Sequence, residues 1–387
     1  MALSTIKTAS IANDAVTADK IVNDGNLGNR NLIINGAMNV AQRGTSATAS
    51  NAAAYLTLDR WEYSYGTGTS NEFSTWTMSQ DSDAPSGFSN STKFICTTAA
   101  SAPSTLTAAL FQQKFEGQDL QQIQFAKSGA KTLTASFYIK SNKTGNIGVQ
   151  LFAQDDSTIN SQLVSINTAN TWEFKTVTFS PKTSGTEIPN DNTLGLRIRF
   201  VFEYNTGRAF GTSDTWAARQ QNSQLVPAGT SARVSTANDT FFITGVQLEV
   251  GDTATPFEHR SFGDELAKCQ RYYLKLGGAD INGGGYYRYG VGSCQGINNS
   301  NILVKPTVTM RTTPTLENTG TVSNYAIYEA DAIHACTALP SFNSTNSNPN
   351  GFAVSFTTTN GLVASGNAGE ALNNNNTTAY LAFSAEV

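Results

Sequence analysis

FFITGVQLEVGDTATPFEHRSFGDELAKCQRYY, from Phe241 to Tyr273, is the stretch on which the fold turns. Its first ten residues are dense in β-branched and aromatic side chains and predict one strand. Along it Ile243, Gly245, Gln247 and Glu249 alternate with Thr244, Val246, Leu248 and Val250, so the two sets are expected on opposite faces. Gly251-Asp252 ends the strand as a turn, and Pro256 sets an extended exit. Asp264 is then placed to cap a short helix carrying Glu265, Leu266 and Cys269. A closing strand, a bend and a brief helix mark a handover between domains. One β domain is expected before it and a second after it.

Upstream, strand-like runs occupy Tyr55–Tyr65, Glu72–Met78, Lys93–Thr98, Leu106–Phe115, Thr132–Lys140, Ile147–Ala153, Gln162–Ile166, Trp172–Phe179 and Leu194–Tyr204. In LRIRFVFEY, Leu196, Ile198, Phe200 and Phe202 take one face, with Arg197, Arg199 and Glu203 on the other. Short strands separated by Gly, Asn and Ser turns, with no helices between, predict a sandwich or jelly roll. Asn205–Asp239 stands out as a long polar loop carrying Trp216, the kind of loop that tends to serve a function or an interface. After Tyr273 strands are expected at Val304–Arg311, Ala326–Glu329, Gly351–Thr359 and Thr378–Val387, with Asn-rich turns at Asn343–Asn350 and Asn373–Asn376. The fold class expected is all-β: a jelly-roll sandwich followed by a second, smaller β domain.

Residues 1–30 differ from the rest. Ile6, Ile11, Val16 and Ile21 recur every five residues. That spacing builds an apolar face on neither a helix, where successive members are about 140° apart, nor a strand. The segment therefore reads as an extended arm, either a loose terminus or one that becomes ordered against a partner. The domain boundaries expected are an arm at 1–30, a jelly roll at 31–260, a short helical linker at 261–273 and a C-terminal β domain at 274–387.

The chain has 387 residues, of which only 14% are charged, while 21 Phe, 13 Tyr and 4 Trp supply enough aromatic area to build cores. The net charge of −4 gives no polyanion-binding signature. The nearest basic groups, Arg197 with Arg199 and Lys268 with Arg271 and Lys275, are small and have acids nearby in sequence, so nucleic-acid binding is rejected. No apolar run reaches membrane-spanning length, so no membrane insertion is expected. Cys96, Cys269, Cys294 and Cys336 form no C-x-x-C pair and no zinc spacing with histidine, and are read as buried thiols. No metal site and no cofactor are expected, and no D-x-D-x-D calcium loop occurs.

Catalytic devices are equally thin. A glycosidase pair would have to come from Asp59, Glu249, Glu258, Asp264 or Glu265, each with a plainer structural role. His259 and His334 are the only histidines, and His259 in FEHRSF reads as a packing residue. No G-x-S-x-G, P-loop or H-E-x-x-H is present. No catalytic residue is assigned. Sugar recognition asks for less: aromatic faces and short polar groups. Trp76, Tyr138, Trp172 and Trp216 could supply it in the first domain. In the second, Gly283-Gly284-Gly285 leads into Tyr286, Tyr287, Arg288 and Tyr289, and a subunit interface is the alternative reading there.

GVQLEVG, TPFEHRSFGDEL and CQRYY, together with NLIINGAMNVAQRGTS at Asn31–Ser46 and LDRW at Leu58–Trp61, resemble a module of bacteriophage tail fibres and virion appendage proteins. KTLTASFYIKSNKTGNIGVQLF and NTWEFKTVTF resemble jelly-roll carbohydrate-binding modules. The matching segments span about Asn31 to Tyr273. The resemblance implies a non-enzymatic, homotrimeric receptor-binding protein of the virion, acting at the host surface on a polysaccharide or lipopolysaccharide. The N-terminal arm, through Ile6, Ile11, Val16 and Ile21, would dock on an adaptor, nozzle or baseplate protein of the tail. A purely structural head fibre or tail connector is the competing expectation. Deleting residues 1–30 is expected to leave both β domains folded by circular dichroism but to abolish incorporation into virions; normal incorporation of the shortened chain would refute the arm.

Overall fold

The computed structural model describes residues 29–49, 53–65, 70–209, 211–219, 225–279, 285–359, 361–362 and 365–387. The arm positions Ile6, Ile11, Val16 and Ile21 lie outside them. The chain divides into two compact units, Met1–Arg260 and Ser261–Val387.

The first unit is a jelly-roll β-sandwich. Its strands are β1 (Ser46–Ala49), β2 (Trp61–Tyr65), β3 (Thr75–Asp81), β4 (Ser91–Thr98), β5 (Ala108–Glu116), β6 (Leu133–Ser141), β7 (Gly145–Ala153), β8 (Thr158–Ile166), β9 (Glu173–Phe179), β10 (Leu194–Tyr204), β11 (Ala217–Ala218) and β12 (Thr240–Val250). They form two six-stranded antiparallel sheets, in the orders β1-β3-β4-β12-β6-β9 and β11-β8-β7-β10-β5-β2. Period-2 alternation sends Phe137 and Ile139 of one sheet, and Leu196, Ile198 and Phe200 of the other, into a shared core. Its centre is aromatic: Trp61 stacks on Phe111 at 4.5 Å and Phe202 on Phe241 at 4.9 Å between ring centroids.

Two bulges break the alternation read from sequence. In β12 the pairing with β6 shifts between Thr244 and Gln247. Gly245 sits there at φ +61, a left-handed conformation that glycine adopts without a Cβ clash. The shift puts Val246 and Leu248 in the core alongside Ile243, not on the face opposite to it. In β10 a shift between Val201 and Glu203 brings Glu203 onto the inner face, instead of beside Arg197 and Arg199. Its buried carboxylate accepts from Ser74 Oγ at 2.7 Å, the Ser235 amide at 3.0 Å and Trp76 Nε1 at 3.3 Å. Burial pushes its pKa above the ordinary carboxylate range.

The two ends of this unit are tied together around β12. Leu32 N–H donates to Leu248 O, Val246 N–H to Gly36 O, and Asn31 Oδ1 accepts from the amides of Ile33 and Leu248. Gly36 is required, since a Cβ there would come within 2.2 Å of Val246 O. From the other side, the Glu258 carboxylate accepts the amides of Asn29 and Asn31, each at 2.7 Å, and Arg260 donates to the carbonyls of Ile33 and Asn31. Asn35 Nδ2 donates to Val40 O and Asp59 O, and Trp61 Nε1 donates to Asn35 O at 3.0 Å.

The expected long loop at Asn205–Asp239 is in part held to the body. Buried Arg208 donates to Leu106 O, and Arg233 donates to Phe202 O and Thr144 O. Leu225 and Val226 complete a small side core with Ala108, Leu110, Val201 and Tyr204.

The second unit opens with the helix α1 (Phe262–Gln270). Its N-cap is Ser261, which accepts from the Asp264 amide while Asp264 accepts from the Ser261 hydroxyl, a reciprocal pair in place of the single Asp264 cap expected. The segment read as a linker belongs to this unit: Cys269, Tyr272 and Tyr273 are buried, and Ala385 N–H donates to Tyr272 O. The strands are β13 (Tyr273–Gly277), β14 (Arg288–Cys294), β15 (Asn299–Val304), β16 (Thr315–Asn318), β17 (Ala326–Glu329), β18 (Ala332–Ala335), β19 (Ser341–Asn348), β20 (Gly351–Thr357), β21 (Ala368–Leu372) and β22 (Tyr380–Ser384). They make a three-stranded sheet, β13-β22-β16, and a seven-stranded sheet, β18-β17-β21-β14-β15-β20-β19. The strand expected at Val304–Arg311 ends where it was to begin, because Pro306 cannot continue the ladder. Most of the expected turn at Asn343–Asn350 is instead the edge strand β19, whose polar residues suit an unpaired edge. Among the described residues no helix is long and apolar enough to cross a membrane.

Asn31→Ala removes a buried side chain that serves three backbone groups of β12 and of the strap bonded to it, residues 29–36. Each orphaned group costs about 1–3 kcal/mol. The urea midpoint of the first unit is expected to fall by a corresponding amount with an unchanged m-value. A midpoint within error of the parent would contradict this role.

Candidate functional site: the outer face of the first sheet

The four residues weighed for sugar recognition in the second domain, Tyr286, Tyr287, Arg288 and Tyr289, separate. Tyr289 is 4% exposed and its ring lies in the core of the second unit, because a bulge between Arg288 and Gly290 turns it inward. Tyr287 is half-buried against it, ring centroids 5.4 Å apart, with its amide donating to Asn373 Oδ1. Tyr286 is 43% exposed, and Arg288 faces solvent in an ion pair with Glu370. Tyr286 and Arg288 therefore remain as contact candidates, while Tyr289 is a core residue. Gly283 and Gly284 lie outside the described residues.

Trp216 is half-buried at the sandwich edge, its ring edge-on to Phe125 at 5.1 Å and its Nε1 donating to Ser180 O at 2.8 Å. Trp76 lies in the core. The carboxylates weighed for catalysis are engaged in structure. Asp59 accepts from Gln42 and lies 3.9 Å from Arg43. Glu249 accepts the Thr255 amide and hydroxyl at 2.9 and 2.7 Å. Glu258 and Asp264 serve the strap and the helix cap described above. His259 is exposed and packs edge-on to Phe257 at 4.9 Å. His334 sits on β18 opposite Ile327. All four cysteines are buried and none is in a disulfide, with burial pushing Cys96 up to about 11 and Cys336 to about 12. Among the described residues no group of His, Cys, Asp and Glu is arranged to hold a metal ion.

Trp172 and Tyr138 take their place on the outer face of the first sheet, away from the core. Register sets two rows there. In one, Phe242 of β12 lies between Lys93 of β4 and Lys140 of β6, whose ammonium groups stand 5.3 and 4.5 Å from its ring centroid. Trp172 extends that row, 6.0 Å from Phe242 and beneath the same Lys140 ammonium at 5.2 Å. In the other, Tyr138 lies opposite Phe174 of β9, ring centroids 5.0 Å apart, and Phe88 continues the row toward Phe257 and His259. Phe88 settles against the bulge, where a Cβ on Gly245 would come within 2.6 Å of its ring.

Polar groups border these rings. Asp83 accepts from Trp172 Nε1 at 3.0 Å and from Lys140, and that second bond chiefly holds its carboxyl below the ordinary range. Phe174 is 51% exposed, the ring on this face most open to a ligand. The sequence reading did not single it out. The signal was present in WEFKTVTF, where Phe174 falls out of phase with the inward-facing Val177 and Phe179. Half-exposed rings beside charged groups suit stacking on the C–H face of a sugar ring, with hydrogen bonds to its hydroxyls.

No protein-family model matches the chain. No curated protein matches it either. Solved structures similar to part of the chain include the enzymatically active domain of tailspike protein 4 from bacteriophage CBA120 (14% identity, TM-score 0.29), where the match covers 57% of this chain and 21% of that one. The matched part is thus about a fifth of the tailspike domain. A family 11 carbohydrate-binding module from Clostridium thermocellum (13%, TM-score 0.26) matches over 56% of this chain and 98% of its own. A xylan-binding domain from Paenibacillus barcinonensis (10%, TM-score 0.25) matches over 56% and 100%. Similarity this remote carries no argument about ligand or activity.

Tyr289→Ala should destabilise the second unit by about 3 kcal/mol through loss of a buried ring, whereas Tyr286→Ala should change stability by less than about 0.5 kcal/mol. Equal effects on thermal unfolding would contradict the inward and outward assignments.

Proposed function

We propose that the protein is a non-enzymatic fibre of a bacteriophage tail that recognises glycans on the host cell surface. The observation that carries the reading is the paired aromatic rows on the outer face of the first sheet, where Phe174 is exposed, Tyr138 and Trp172 are half-buried, and Trp172 lies beside Asp83 and Lys140. Core packing accounts for most aromatics of a sandwich, yet these lie on its outer side. The resemblance of Asn31–Tyr273 to a virion appendage module supplies the setting: a homotrimer, carried on the tail by residues 1–30 and facing a polysaccharide or lipopolysaccharide. Of the carboxylates weighed from sequence, Asp59, Glu249, Glu258 and Asp264 are each hydrogen-bonded within the fold, which fits recognition without turnover.

The second reading is a purely structural virion protein, and one observation favours it. Val291 and Leu303 are cross-strand partners on the seven-stranded sheet and are 61% and 57% exposed, a pairing that suits another virion protein better than a sugar.

The two readings part on glycan binding by the full-length protein. Trp172→Ala and Phe174→Ala should each weaken binding to host surface polysaccharide about tenfold or more, with folding unchanged by near-ultraviolet circular dichroism. No binding by the parent protein, or binding untouched by both changes, would overturn the proposal.

A further inference from the structure

The outer face of the second sheet is built differently. On β10, Arg197 lies across from Phe152 of β7 and Arg199 across from Gln150. The guanidinium carbons of Arg197, Arg199 and Arg219 stand 4.9, 5.0 and 5.0 Å from the Phe152 ring centroid, and that ring is fully buried beneath them. Neutral amides hold the first two arginines. Gln154 Oε1 accepts from Arg197 Nη2 at 2.6 Å, while Gln112 and Gln150 accept from Arg199 at 2.9 and 3.0 Å. An amide oxygen satisfies a donor without neutralising its charge.

The carboxylate that acts on both arginines is Glu62. Its Oε2 already accepts from Gln112 Nε2 at 2.6 Å and pairs with Lys114 Nζ at 3.0 Å. Glu203, which sequence alone set beside these arginines, is turned into the core by its bulge and takes no part. Arg197 Nε is buried without a hydrogen-bond partner. Burial first, then the neighbouring Arg197 and Arg219 charges, lowers the pKa of Arg199 to about 9. Arg197 and Arg199 thus carry buried positive charge held mainly by neutral amides, with Glu62 the one carboxylate acting on both.

We infer that this face is an anion site, in which Arg197 and Arg199 receive the oxyanion of an acidic saccharide, a carboxylate, sulfate or phosphate. Planar guanidinium groups with donors side by side suit bidentate binding of such a group, and these lie over the ring of Phe152. That the oxyanion is borne by a saccharide rests on the proposed function; the site itself rests on charge and geometry.

Calorimetry on the full-length protein tests it, with trigalacturonate, its neutral counterpart galactotriose, and inorganic phosphate as probes. Trigalacturonate should bind at least tenfold more tightly than galactotriose at low salt and lose that advantage at high salt, and phosphate should compete with it. Arg199→Gln and Arg197→Gln should each cost the acidic sugar at least tenfold and leave galactotriose unaffected. If those variants fail to fold, Arg219→Gln at the margin decides, with a severalfold loss expected and an unchanged affinity counting against the site. Equal, salt-independent affinity for the two sugars would overturn the inference while leaving the proposed function intact. Arginine-dependent uronate binding that survives Trp172→Ala, with galactotriose not bound at all, would sustain the site and sink the aromatic-face reading. Competition-proof phosphate binding without uronate binding would refute a saccharide ligand.

Discussion

The hydrogen-bonded closure of β12 on the strap before β1 is the interaction on which the first unit depends. A strand buried on both faces must satisfy its polar groups with partners other than water, or lose more than its apolar side chains gain. Asn31, Gln247, Glu249 and Glu258 provide those partners, and each is bonded to a backbone group of the strap, the strand or the loop after it. Chain ends that fray in most domains are here fixed from both directions. The motifs NLIINGAMNV, LDRW, GVQLEV and TPFEHR, far apart in sequence, meet in this one closure. Asn31, Gly36, Gln247 and Glu258 in them serve the closure, while Phe257 and His259 lie beside the aromatic row of the first sheet.

With its ends secured, the sandwich has two outer faces of contrasting chemistry. One carries aromatic rings with ion pairs at their margins; the other carries arginines on an amide ladder that crosses five strands from Glu62 to Ser161. Both depend on bulges. Gly245 leaves room for the Phe88 ring, and the bulge near Glu203 removes an acid from the second sheet's outer face. Small irregularities of two strands thus set the chemistry of both surfaces.

Much of the fold was legible because period-2 alternation reports directly which side chains must be buried. Leu194–Tyr204 and Ala326–Glu329 were found at their observed bounds on that signal. It failed where one residue is inserted. Gly245 within an apolar run hinted at a bulge, but nothing local marks the one before Glu203, which depends on the partner strand. β19 was missed because an edge strand has no buried face to leave a pattern. Of the candidate sites, Trp172 and Tyr138 were legible as aromatics, while their outward direction needed the register. Tyr289 was misplaced because a bulge reverses its face. Arg197 and Arg199 were read on the correct face, then discounted for a neighbouring acid that the fold takes away.

The most direct measurement is a crystal structure of the full-length protein with a bound acidic oligosaccharide. The account predicts sugar density on the sandwich, with an oxyanion against Arg197 and Arg199 or a ring face against Trp172 and Phe174. Density confined to the second unit, or a cleaved sugar held between carboxylates, would contradict it.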